Sequence, residues 1–475
     1  MPYGQKFFGK NLNLTINKME NYQNILSAQK VFYNSQLTKN VKFRISQLNK
    51  LYTIVQTNEA QILEALYNDF KKPAFEGYAT EIGLVLNEIK YHIKNLKKWS
   101  SPTRKRGNLL DFYSSAKIIS EPYGQVLIIA PWNYPFQLAF TPLVGAISAG
   151  NTAIIKPSEI APSTSKIIFK ILNGAFPENY IYCAEGGQIV AEELLTLKFN
   201  FIFFTGSEQV GRNVMKAAAS NLIPVCLELG GKSPCIIDKT ANIDLSCKRI
   251  VWGKFLNAGQ TCVAPDYILV DKHISGEVKK GLKKYIQEFY GTAPHNSKDF
   301  ARIINEKHFR RISELITPEK IYCGGEVNEK ERYIAPTILE NIDFNHKIMQ
   351  EEIFGPVLPI IEYSDPKEFI EILKNGNAPL SLYVFSKNEK FINKMLSEIE
   401  AGNANINDTV MQFANKNIPF GGKGNSGIGA YHGKHSFDCF SHFKAVNIKT
   451  SLFDLPFRYP PYSSSKYNLI HKLLK

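Results

Sequence analysis

The chain has 475 residues, 44% of them hydrophobic and 21% charged, a length and composition of a folded protein with two or three domains. No run of about 18 uninterrupted apolar residues is present, which argues against a membrane-spanning helix. Its formal charge of +14 is spread along the chain in short clusters without interleaved aromatics, so no nucleic-acid partner is expected, although an anionic dinucleotide would suit it. Taken in chain order, residues 1–18 are weakly patterned and read as an extension, either disordered or upstream of a start at Met19. They contain no apolar h-region, so a cytoplasmic protein is expected. Residues 20–100 read as helical. Apolar residues recur at three-to-four spacing from Val41 to Phe70, and a second helix follows Pro73 as far as Trp99.

From 125 to 229 the pattern changes. Short apolar runs at 125–130, 152–156, 180–183, 201–205 and 224–229 alternate with helical stretches at 138–150, 162–176, 188–197 and 208–220. Near-continuous apolar strands separated by helices predict a parallel sheet covered on both faces, with its ligand at the carboxyl ends of the strands. A second α/β region is expected over 229–432, with a helix at 275–289 and a strand at 380–385. The β-prone 108–124 and the segment from 433 to 462 fit neither region and are expected to pair as an extension used for oligomer contacts. Residues 463–475 form a basic tail. Its Tyr467, Ile470, Leu473 and Leu474 fall on one side of a turn or two, so it either touches a membrane surface, docks on the protein or is disordered.

Seven cysteines without a C-x-x-C pair, and nine histidines without ligand spacing, predict neither disulfides nor a metal site. Cys183, Cys226 and Cys235 lie in strand-like runs and read as small buried hydrophobes. Cys262 differs, because it follows the polar, flexible Asn257-Ala258-Gly259-Gln260-Thr261, where a thiol can be exposed beside backbone N–H groups. Its pKa would have to fall from about 8.5 for it to act as a nucleophile at neutral pH. Glu228 ends the apolar strand of Leu227-Glu228-Leu229-Gly230-Gly231-Lys232. A thiol and a carboxylate together can make a thioester and then hydrolyse it. Asn133, in Pro131-Trp132-Asn133-Tyr134-Pro135, is either a turn residue or a donor to a developing oxyanion. Gly206-Ser207, a strand-to-helix turn with Gly211 following, is either structural or a phosphate site at a helix N-terminus. Lys156 and Glu159 are either a solvated turn or ribose ligands, and that carboxylate would repel a 2′-phosphate. Glu352 and Phe354 offer a carboxylate for a ribose and an aromatic for a ring.

In this order, PWNYP, KPSE, FFTGS, LELGGKSP, NAGQTC, EEIFGP and PFGG (419–422) resemble the aldehyde dehydrogenase superfamily. DFKKPAFEGY (69–78), GQTCVAPDY, GAYHGKHSFDCFSH (429–442) and RYPPY (458–462) are similar to its class 3 branch, which includes fatty aldehyde dehydrogenases. The resemblance spans about residues 20 to 462. It implies an α/β fold with a Rossmann-type cofactor domain (19–107 and 125–228), a catalytic domain (229–432) and a bridging β-extension (108–124 and 433–462) that builds a homodimer. Implied catalytic residues are Cys262 as nucleophile, Glu228 as general base and Asn133 as oxyanion donor. Implied cofactor contacts are Trp132, Lys156, Glu159, Gly206, Ser207, Gly211, Leu229, Gly230, Glu352 and Phe354, holding NAD, with NADP possible. The expected reaction is oxidation of an aldehyde to a carboxylic acid. Aromatic residues near Tyr78, Tyr134 and Phe413 suggest medium-to-long aliphatic or aromatic substrates. An acylating enzyme that hands its thioester to coenzyme A is disfavoured by Glu228. A non-catalytic binding protein is disfavoured by the joint presence of Cys262, Glu228 and Asn133.

Overall fold

The computed structural model of the chain describes residues 21–106, 114–452 and 454–474. The expected extension at 1–18 and the start of the first bridging segment lie outside the described residues. Two sheets, each with its own core, organise the rest. The first has six strands in the order Gly427–Ile428, Val225–Glu228, Phe201–Thr205, Gln125–Ile129, Thr152–Lys156, Ile181–Cys183. All neighbours run parallel except the first pair. From Gln125–Ile129 the chain moves outward on one side, then returns to place Phe201–Thr205 on the other, creating a switch point where loops diverge and leave a crevice. The strands at 125–129, 152–156 and 201–205 are buried throughout, which is why they read as unbroken apolar runs. The Gln137–Ala149 helix is buried at every position. A helix this apolar all round belongs inside the protein.

The second sheet has seven strands, in the order Ile321–Cys323, Thr337–Leu339, Val357–Tyr363, Tyr267–Asp271, Pro234–Ile237, Ser381–Phe385, Asn403–Ile406. A short connection, Leu229 to Ser233, carries the chain from the first sheet into the second, so the strand ends of both sheets face one cleft. A third sheet joins Thr103–Lys105, Ser114–Pro122 and Ser441–Lys449. Ser114–Pro122 and Ser441–Lys449 pair antiparallel from Ser441↔Pro122 to Lys449↔Ser114. The two segments left over by the sequence reading therefore find each other.

Three expected boundaries shift. The helical run from Val41 breaks at Asn58, whose side chain turns back to Ile54 O at 2.7 Å, giving helices Val41–Thr57 and Glu59–Phe70. The span proposed for the catalytic domain, 229–432, gives up its end: Gly427–Ile428 pairs with Glu228 and Leu227 in the first sheet. The bridge is narrower than 433–462: the Lys434–Cys439 helix packs instead on the buried Gln137–Ala149 helix, where Ser436 and Phe440 lie against Gly145. The tail forms a helix, Ser464–Leu473, with no buried residue. Among the described residues no helix is long and apolar enough to cross a membrane.

Candidate active site

Cys262 sits after an unusual backbone. The helix Ile243–Phe255 ends, and Asn257, Ala258 and Gly259 follow in the left-handed region at φ 55°, 51° and 75°. Two of these are not glycine, and each costs about 1 kcal/mol or more, so something must hold them. Asn257 N–H donates to Glu76 Oε1 at 2.9 Å, and Asn257 Nδ2 donates to Asn133 O at 2.8 Å and Gln260 O at 3.1 Å. Gln260, fully buried, donates to Asn257 O and Arg302 O and accepts from Ile304 N–H. Gly259 cannot be replaced without strain, because a Cβ there would lie 2.3 Å from Gly355 O. The loop thereby grips the 354–356 turn, where Phe354 is itself left-handed at φ 52°.

A cavity of about 760 Å³ opens at the switch-point crevice and runs to Cys262. Nine of the predicted site residues meet on its wall: Trp132, Asn133, Gly206, Ser207, Leu229, Gly230, Cys262, Glu352 and Phe354. Ser207 caps the Glu208–Ala219 helix, accepting from Val210 N–H, so unpaired N–H groups of that first turn face the crevice. Glu352 folds over Gly230, where a Cβ would fall 2.1 Å from its Oε2. Trp132 packs edge-on against Phe354 with ring centres 5.3 Å apart, and lies 4.8 Å from the His308 ring. Asn133 Nδ2 donates to Gln260 O at 3.1 Å, which turns the amide toward the cysteine loop.

Glu228 lies at the carboxyl end of its strand and is 2% exposed. Its Oε2 has no hydrogen-bond partner among the described residues, and Oε1 is 4.0 Å from Cys226 Sγ. Burial, then the neighbouring Cys226, raises its pKa well above the carboxylate range. The lowered thiol pKa expected for Cys262 is not what these surroundings give: burial pushes it up to about 12, with Glu352 and Glu228 adding to the effect and the backbone N–H groups of Cys262 and Val263 opposing it. The two carboxylates are thus close enough to feel the sulfur. Burial and then Asp266 raise Glu352 to about 8, against the Gly231 N–H and Lys232.

Four predicted site residues lie off this wall: Glu228, buried behind it, and three expected cofactor contacts. Gly211 packs against Leu229, whose Cδ2 would be 2.6 Å from an added Cβ, so it seats the helix on the sheet connection. Lys156 and Glu159 form an ion pair at 2.5 Å at the end of the neighbouring strand, with Lys156 beside Ile129 in register. Tyr78, Tyr134 and Phe413 also lie outside the cavity; Tyr134 is buried with its hydroxyl 2.6 Å from Thr261 Oγ1. Sequence reasoning missed the group that anchors Glu352. Lys232 Nζ bonds Asp266 Oδ2 at 2.6 Å and the carbonyls of Ile348 and Glu351, while Asp266 Oδ1 accepts from Ile353 N–H. Lys232 stood inside a recognised string, yet nothing local indicated a partner 116 residues away. Among the described residues no cluster of His, Cys, Asp and Glu could hold a metal ion.

A parallel sheet with its crevice at the switch point, joined through a five-residue connection to a second α/β unit, is the two-part architecture of an α/β enzyme with one shared cleft. The chain belongs to the aldehyde dehydrogenase family, whose model matches residues 15–446. It is 48% identical over 94% of its length to 4,4'-diaponeurosporen-aldehyde dehydrogenase of Staphylococcus aureus, covering 97% of that protein. It is 46% identical over 90% of its length to aldehyde dehydrogenase family 3 member A2 of Macaca fascicularis, covering 88% of that protein. A solved structure of Staphylococcus aureus AldH in its substrate-bound state superposes with a TM-score of 0.94 at 47% identity, over 96% of this chain and 99% of that one. The chain is an aldehyde dehydrogenase that oxidises aldehydes.

Proposed function

We propose that this enzyme converts medium-to-long aliphatic or aromatic aldehydes to carboxylic acids through a thioester on Cys262, with NAD as its preferred cofactor, NADP accepted, in a homodimer. The observation that carries this reading is the single cavity shared by Ser207, Glu352, Asn133 and Cys262. Its residues fit a dinucleotide. Gly206 and Ser207 open a helix N-terminus suited to phosphate, Gly230 leaves room for the Glu352 carboxylate, and beyond the cavity wall the Lys156–Glu159 pair at the next strand end would meet ribose hydroxyls. The Glu159 carboxylate also disfavours a 2′-phosphate. A bound nicotinamide would accept the hydride that leaves the substrate carbon.

Everything else falls to the chain. The Cys262 thiol gives up its proton to solvent as the sulfur attacks the carbonyl carbon, forming a C–S bond while the carbonyl π bond opens to a negatively charged oxygen. That oxygen is held by Asn133 Nδ2 and the Cys262 N–H, an interaction typically worth about 10²–10³ in rate. After oxidation the acyl group remains on sulfur. Glu228, whose proton affinity is raised by burial, takes a proton from water as the oxygen bonds to the acyl carbon. The C–S bond then breaks, releasing acid and the Cys262 sulfur. Support for an apolar substrate comes from the Staphylococcus aureus relative named for 4,4'-diaponeurosporen-aldehyde. Support for a dimer comes from the antiparallel Ser114–Pro122 and Ser441–Lys449 pair, which exposes Phe443 and Ile448, and from a rat relative named as dimeric and NADP-preferring.

The test is NADH formation across an aldehyde panel, with and without coenzyme A, beside Cys262→Ala. Free acid formed without coenzyme A and lost in the variant supports the reading. A requirement for coenzyme A would replace it with the acylating reaction.

A further inference from the structure

Two buried carboxylates outside the cavity, Glu76 and Glu81, reach the two loops that carry Asn133 and Cys262. Both come from one short stretch of the N-terminal helical region and neither touches the cavity wall. Glu76 Oε1 accepts from Asn257 N–H at 2.9 Å, at the first of the three left-handed residues before the cysteine. Glu81 Oε2 accepts from Phe136 N–H at 2.9 Å and Gln137 N–H at 3.3 Å, capping the fully buried helix that follows Asn133. Glu81 Oε1 bonds Lys72 Nζ at 2.6 Å, and both side chains are fully buried. The same ammonium lies 4.4 Å from the centre of the Tyr134 ring, and the Tyr134 hydroxyl closes the circuit on Thr261 Oγ1.

Backbone geometry explains how one segment serves both loops. Positions five apart on an α-helix point roughly 140° away from each other. Between Glu76 and Glu81, however, the chain makes a π turn, Tyr78–Ile82, with Gly83 N–H donating to Tyr78 O. The i to i+5 spacing of a π turn stacks such positions, and these turns recur at functional sites.

We propose that Glu76 and Glu81 are positioning residues, which together with Lys72 set the separation between the Asn133 amide and the Cys262 sulfur. The proposal rests on the roles read above for Asn133 and Cys262. Asn257 and Ala258 hold an unfavourable backbone, and the Asn257–Glu76 bond fixes it from the side opposite the two bonds that join the loop to Asn133. Glu76→Asp keeps the carboxyl group and withdraws the acceptor by one methylene. Glu76→Gln removes the charge and keeps an acceptor oxygen in place.

The experiment measures kcat, aldehyde KM and thermal midpoint for both variants, alone and in an Asn133→Ala background. Glu76→Asp should lower kcat about 10–100-fold, the scale of an ångström-size misplacement, with cofactor KM unchanged. Glu76→Gln should stay within about threefold of the parent, and in the Asn133→Ala background Glu76→Asp should cost less than about twofold, because there is no amide left to position. An undiminished loss in that background, equal losses for Asp and Gln, or full kcat for Glu76→Asp would overturn the proposal. Full turnover by Asn133→Ala alone would remove the reading on which it stands, and the proposal with it.

Discussion

Replacing Gly259 by alanine probes how tightly the cysteine loop is locked to the cofactor side of the cleft. Gly259 has φ 75°, and an added Cβ would meet Gly355 O at 2.3 Å, Gly355 C at 2.5 Å and Pro356 N at 3.0 Å. All three are backbone atoms, so no side chain can swing aside. An ordinary carbon contact is about 3.5 Å, so the 257–262 and 354–356 segments would have to part by about 1 Å. One segment carries Cys262 three residues on; the other carries Glu352 and Phe354. Holding alanine left-handed adds about 1–2 kcal/mol, and overpacking adds about 1–3 kcal/mol. Gly259 is not itself a core residue, although Ala258 beside it packs in the second core, so the protein should stay folded at a lower melting temperature. The main effect is geometric, a fall in kcat of about 100-fold, the scale set by a 1 Å misplacement at a reacting centre. The assay is steady-state NADH formation together with thermal unfolding and counted alkylation of Cys262. A folded Gly259→Ala protein that turns over within about threefold of the parent would show that the two segments move independently and refute this account.

Glu228→Gln should lower steady-state turnover by about 10²–10⁴ and leave an initial burst of NADH, because only the general-base step is removed. Stability should respond to pH in a defined direction at the same residue. Its proton affinity is raised in the folded state, so its stabilising contribution is complete below the ordinary carboxylate pKa and is lost as pH rises toward its raised value. The melting temperature of Glu228→Gln should therefore gain on the parent as pH increases, and a constant difference from pH 5 to pH 9 would count against it. Gly230→Ala forces a Cβ to within 2.1 Å of Glu352 Oε2 and should raise the KM for NAD about tenfold, the loss of one charge-assisted hydrogen bond, with aldehyde KM unmoved. Phe443→Asp together with Ile448→Asp should convert a dimer to monomers by light scattering; an unchanged mass would locate the interface elsewhere.

The cofactor sheet was legible because its strands are buried on both faces, which turns each into an apolar run bounded by turns. Phe201–Thr205 and Thr152–Lys156 fall where the runs predict. Cys262 stood out for the opposite reason, as a thiol after a polar stretch, and it does reach the cavity wall, while Cys183, Cys226 and Cys235 are buried in the structure as their apolar surroundings predict. What stayed hidden depends on partners far along the chain. Lys254 sits in a helix where a lysine reads as solvated, yet it is fully buried, and desolvation lowers it to about 8. Glu76 and Glu81 lie in a polar segment that reads as an exposed helix start, and their bonds run to Asn257 and Phe136, 181 and 55 residues away. No periodicity encodes such a distance. A local pattern reports which face of an element is apolar, so it finds strands, helices and a cysteine that breaks the pattern. A buried carboxylate is stable only because a distant backbone N–H or ammonium meets it, and that meeting exists only once the domains have come together. The residues that line the cavity were therefore easier to read than those that hold them in place.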